Sequence, residues 1–395
     1  MHGTLATAVL LGLSALASAR PTGESYTSSS TSSSDGQEEF TFPLDNGFPN
    51  ITNPSQALTD IEEQAHGTLP NGAAPPPPHP DSLNALGFIA FNELFEVAFF
   101  TELLYNITNN VPGFDKIPDR DNVLDIITVV QAQEELHELN ANGAFTKFTG
   151  QTITPCEYVF PVDNFVDAIG LASTFTDVVL GTLPDIQTIF ADNGDNGLIR
   201  GVGSVIGQEG EQNGFYRGLL GKIPSALPFL TGSAVDFAFN AINQGFVVPG
   251  SCDASIDLLI HPASGTPLTE FGVLTVLTSA ADITSAQDSE VDFSFVVSSS
   301  GSQAGGHGGS APQGYTKQES LFLTYINQQN VPISFPLQNE KFADGIVTFT
   351  ASFPGQSQEM NGLTIAAVTT SDGPFATPDD VANVTLFGPG LIEVN

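Results

Sequence analysis

The sequence predicts an α+β chain of more than one domain: a four- or five-helix bundle over residues 81–250, then an antiparallel β-sandwich over residues 251–395. Three observations carry this. Over 81–250, apolar residues recur at three- and four-residue spacing in long runs, the period of a buried helical face. From 251 onward the pattern changes to short alternating runs separated by Gly, Ser, Pro and Asn. Within the helical part, carboxylates and one imidazole fall on the apolar side of the helices, where a charge left without a partner costs several kcal/mol.

Residues 1–19 read as a secretory signal peptide, with an apolar stretch over 5–16 and Ala17-Ser18-Ala19 as the cleavage site. Residues 20–80 are rich in Ser, Thr and Pro and read as a disordered, flexible leader ending in a polyproline spacer over 74–80. His66 and His79 lie in it without any visible constellation. The first helix is expected over 83–106, behind Asp81 or Ser82 as N-cap. Leu86, Ile89, Glu93, Glu96, Val97, Phe100 and Leu104 share one face, and Phe88, Phe91, Phe95 and Phe99 line the other. A helix apolar nearly all round is central in its domain. The second helix is expected over 119–142, with Gly143 ending it. Its core side carries Val123, Ile126, Ile127, Val130, Glu134 and His137.

Helices three, four and five are expected over 162–183, 197–220 and 232–244. On the fourth, Glu209 and Gln212 stand where Glu134 and His137 stand on the second. On the third, Ser173 and Thr176 take the places of Glu93 and Glu96, with Asp177 the acid nearest that face. Beyond 251, strands are expected over 272–277, 291–297, 320–325, 345–353, 362–368 and 381–387, about seven in all. Residues 298–313 read as a glycine-rich hairpin loop holding His307.

Composition narrows the function classes. With 9 Lys+Arg against 44 Asp+Glu, net −35, the chain repels nucleic acid and anionic membranes. Beyond the signal peptide, no run approaches the roughly 18 apolar residues of a membrane span, so the expected address is secreted: extracellular or cell wall. In an oxidising compartment Cys156 and Cys252 pair in one disulfide, and Asn50, Asn106 and Asn383 are sequons. There is no G-x-S-x-G elbow for a hydrolase, and His261, near Asp253 and Asp257, reads as a surface or junction residue. The absence of Trp argues against sugar stacking by the sandwich, whose expected role is contact with a cell-wall or protein partner.

A central helix with Glu-x-x-Glu, a second with Glu-x-x-His and a fourth with an altered copy resembles the ferritin-like fold. The segments NELFEVAFF (92–100), QEELHELNANGAF (133–145) and ALPFLTGSAVDFAFNAINQGF (226–246) resemble secreted fungal ferritin-like proteins of late sexual development and stress response. These are in turn similar to plant desiccation-related proteins. The likeness covers residues 81–250 and implies a ferritin-like bundle. It also implies a metal pattern: Glu93 or Glu96 on the first helix, Glu134 and His137 on the second, Glu209 on the fourth. A full two-metal site takes four carboxylates and two histidines. Here Gln212 replaces the second histidine and Ser173 the remaining acid, so the pattern is degenerate. The expectation is a non-enzymatic factor with no cofactor. The alternative is a mononuclear or asymmetric two-metal protein, an oxidoreductase or a metal-sequestering protein, with one Fe, Mn or Zn ion on Glu93, Glu96, Glu134, His137 and Glu209. A metal-free network including Gln212, Asp177 and Ser173 satisfies the same residues.

Overall fold

A computed structural model describes residues 41–73, 75–297 and 320–394. The expected signal peptide and the loop around His307 lie outside these. Among the described residues there are eight α-helices and two four-stranded antiparallel sheets.

The helices are α1 (Gln56–Gln64), α2 (Pro80–Thr108), α3 (Arg120–Thr149), α4 (Phe165–Asp192), α5 (Asn196–Leu219), α6 (Val235–Gly245), α7 (Asp253–Ile260) and α8 (Pro378–Ala382). Helix α2 lies along α3 and α4 along α5, and α6 closes over α2 and α4. The apolar character of α2 explains its place. Phe91, Phe95, Phe99 and Phe100 are all inaccessible, and Phe95 and Phe99 meet the Phe175 ring edge-on at 5.2 and 5.0 Å. By length and composition α2 and α4 could each cross a membrane, but both are buried core helices here.

Several element boundaries differ from expectation. Helix α2 starts earlier, at Pro80, because His79 caps it: its ring accepts from the Asp81 amide at 3.3 Å, and proline suits the first helical turn. Helix α3 runs through Gly143, which faces solvent, and stops at Gly150, whose φ of +73° is the left-handed terminator. Helix α4 continues past Pro184 because Ile186 and Phe190, both inaccessible, keep the apolar spacing going. Helix α7 falls inside the stretch assigned to the sandwich from 251 on, ahead of its first expected strand; Ile256 and Leu259 bury against the helical core and its N-cap, Cys252, is bonded to Cys156. Residues 41–73 are not a flexible leader. Phe48 is inaccessible in the main core, and α1 buries Leu58 and Ile61 against Ala132 and Leu136 of α3.

The strands are β1 (Leu274–Val276), β2 (Ser289–Val296), β3 (Phe322–Asn327), β4 (Ile333–Pro336), β5 (Gln338–Ala343), β6 (Ile346–Phe353), β7 (Gly362–Thr369) and β8 (Thr385–Val394). They form sheets of order β1-β2-β6-β5 and β4-β3-β7-β8. The expected strand at 381–387 begins at Thr385, since Val381 belongs to α8, started by Pro378 and a Thr377–Asp380 capping box. Strands β4 and β5 gave no alternating signal because they are edge strands, β5 being exposed along its length. The sheets face each other across a shared core in which Phe295 stacks on Phe387 at 4.1 Å. The second sheet is covered on both sides. Leu323, Tyr325, Ala366 and Val368 face the first sheet, while Ile326, Leu363, Ile365 and Ala367 join the core of the helices.

Candidate metal centre

Four of the five expected ligands converge. Glu93 comes from α2, Glu134 and His137 from α3 and Glu209 from α5, and one ligand atom from each lies within 4.8 Å of all the others. The imidazole Nδ1 of His137 faces all three carboxylates: Glu134 Oε2 at 2.8 Å, Glu93 Oε2 at 3.6 Å and Glu209 Oε1 at 3.7 Å. The acids have at most 1% of their surface exposed, while His137 keeps 16%.

The fifth, Glu96, sits one turn along α2. Its Oε1 accepts from Asn92 Nδ2 at 3.0 Å, and its Oε2 is buried without a hydrogen-bond partner. Burial, then the charges of Glu209, Glu134 and Glu93, hold its carboxyl well above the ordinary carboxylate range. Burial pushes Glu93 up to about 7 and Glu209 well above the usual range. For His137, burial acts downward, but the charges and hydrogen bonds of Glu134 and then Glu93 together more than offset it and raise the imidazole.

Gln212 stands where a second histidine would complete the pattern. Its Nε2 donates to Glu134 Oε1 at 2.7 Å, and its Oε1 accepts from Tyr216 Oη at 3.4 Å. Ser173 and Asp177 do not reach the centre. Both bond to Asn213: Ser173 Oγ donates to its Oδ1 at 2.8 Å, and Asp177 Oδ1 accepts from its Nδ2 at 2.9 Å. Asp177 lies in the field of Arg217 and Lys222, which connect to Glu393 of β8. His261 is 73% exposed and bonds its neighbour Asp257 at 2.8 Å. Asn50 and Asn383 are exposed, and Asn106 is half-buried on α2.

Several polar residues of this region escaped the sequence reading. Gln133 bridges α3 and α5, its Oε1 accepting from Gln208 at 2.9 Å and from Gln212 at 3.3 Å. It lies four residues before His137, a helical neighbour that a wider face would have included. Asn213, four after Glu209, is the same case. Glu393 carried no such signal.

The residues fit a divalent ion. Glu93 Oε2 and both Glu209 oxygens are buried with no hydrogen-bond partner, which is costly unless something else satisfies them. Ligands about 2.0–2.2 Å from a tetrahedral ion stand roughly 3.3–3.6 Å apart; Glu93 and Glu209 stand close to that spacing from His137, at 3.6 and 3.7 Å, while Glu134 at 2.8 Å is a hydrogen bond that an ion would have to replace. One imidazole with carboxylates and no thiolate suits Zn²⁺, Fe²⁺ or Mn²⁺. Compared with known proteins, the chain matches no family model and no curated protein.

Proposed function

We propose that this chain is a secreted ferritin-like protein that holds a single divalent metal ion in its helical core. The carrying observation is the convergence of Glu93, Glu134, His137 and Glu209, from three helices, on one buried point. Glu96 supplies a further carboxylate beside it. Gln212 and Ser173 favour one ion over two, since both positions that would complete a second set of ligands carry neutral side chains, Gln212 bonded to Glu134 and Ser173 to Asn213. The one disulfide is compatible with an oxidising, extracellular compartment. The role is sequestration or structural reinforcement in an extracellular or cell-wall factor of development or stress, rather than turnover.

A second reading has its own support. The 2.8 Å Glu134–His137 contact and the 2.7 Å Gln212–Glu134 bond make a network that needs no ion once the neighbouring acids are protonated. Metal analysis separates the two. Protein purified from the medium without chelator or affinity metal should carry close to one Fe, Mn or Zn per chain, and His137→Ala should bring it to background. Well-folded wild-type protein that stays metal-free after dialysis against each of these ions would leave the network reading standing.

A further inference from the structure

The centre meets solvent at His137, since its other ligands are inaccessible. The α3 residues around His137 are held by chain from outside the bundle. Leu136 packs under Leu58, Ile61 and Ala65, and Gln133 Nε2 donates to the Ala65 carbonyl at 3.3 Å. Asn46 Nδ2 reaches both oxygens of the buried Glu135 at 3.0 Å. The same Gln133 accepts from Gln212, which donates to Glu134. One chain of hydrogen bonds therefore runs from the end of α1 to a ligand of the centre.

We infer that residues 41–65 form a strap that holds the part of α3 carrying Glu134 and His137 in place and so controls exchange through this centre. The inference rests on the centre proposed above. The attachment suits release. Phe48, inaccessible in the main core, anchors one end, and beyond Ala65 most of the described residues to Pro80 are exposed, a tether that lets α1 lift while α2–α5 stay packed. The apolar contacts of α1 centre on one face of α3, in the small cluster of Leu58, Ile61, Ala65, Ala132 and Leu136. Gln133 ties the strap to the centre, because lifting it also frees the residue that bridges α3 to α5.

The test uses the full chain with Leu58→Ala and Ile61→Ala together. In metal-free protein, diethyl pyrocarbonate modification of His137 should quicken about tenfold relative to wild type, with the exposed His261 as internal reference. In protein loaded with Zn²⁺, extraction by a chelator should quicken by a similar factor with unchanged starting stoichiometry. Unchanged rates in both would overturn the strap. Wild type that takes up no Zn²⁺ while His137 still gains reactivity in the variant would overturn the metal reading and leave the strap. If the variant fails to fold, hydrogen exchange on the wild-type chain decides. Amides of α1 should exchange at least about tenfold faster than those of α2–α5, and equal exchange would sink the inference.

Discussion

Glu209 shows at the scale of one side chain how the proposed metal role and stability oppose each other. Both its oxygens are buried and neither has a hydrogen-bond partner. Left without a partner it costs stability, and in the proposed metal-bound state it would serve as a ligand. Glu209→Gln should therefore raise the Tm of metal-free protein and abolish the rise in Tm that added Zn²⁺ or Mn²⁺ gives the wild type. Thermal scans with and without metal check both. A fall in metal-free Tm would mean that the carboxylate is already satisfied in the apo fold. The helix faces read from sequence contained Glu93, Glu96, Glu134, His137, Glu209 and Gln212, because all lie on core-facing stripes of regular helices. The convergence of four of them, and the exclusion of Ser173 and Asp177, depends on which helices are neighbours, and periodicity carries no such information.

At the scale of elements, two glycines separate intrinsic propensity from packing. Gly143 lies in α3 with nothing near the position of a Cβ. Gly143→Ala should stabilise the protein by about 0.5–1 kcal/mol, since alanine loses less entropy in a helix. In α4, a Cβ on Gly181 would clash with the Thr231 carbonyl oxygen, and the Ser233 amide also donates to Gly181 O at 3.1 Å. Gly181→Ala should cost on the order of 1–3 kcal/mol, because the 231–233 backbone must move. Urea unfolding of the two variants reads both signs. Gly143 reads as a stop signal in sequence only because its solvent exposure is invisible there. The missing β4 and β5, and the helix α7, were similarly illegible: edge strands need no apolar alternation, and α7 is too short to show a period.

For the whole molecule, the dominant feature is the number of acids held inside an acidic chain. Burial, followed by the Asp379 charge, pushes Asp185 up to about 8 at the junction of α4 and α8. Burial does the same to Glu393, up to about 8, with Asp177 opposing its ionisation. Asp177 and Asp236 are pushed to about 6, again chiefly by burial. Unfolded, these groups titrate near 4. Between about 4 and 8 the folded chain keeps protons that the unfolded chain has lost, so their stabilising effect is full below about 4 and is lost as pH rises through 8. Metal-free protein should melt higher at pH 5 than at pH 8, by more than about 5 °C. A flat or rising profile would show that these carboxyls are ionised in the fold.

The sequence alone determined the two kinds of structure and their order, the disulfide partners, the central place of α2 and a set of core-facing polar residues from which the buried centre is drawn. These follow from periodicity, apolar content and a cysteine count of two, all properties of neighbours along the chain. Tertiary structure alone decided that residues 41–73 pack on the bundle and that the sheet of β3 and β7 shares the helical core. It also decided that Asn213 draws Ser173 and Asp177 away from the centre. The physical reason is the same in each case. A low-apolar segment such as 41–65 is ordered by a few anchors, Phe48, Leu58 and Ile61, whose complementary surface lies on α3 and its neighbours. Which buried polar group satisfies which is settled by distances across helices, not along them.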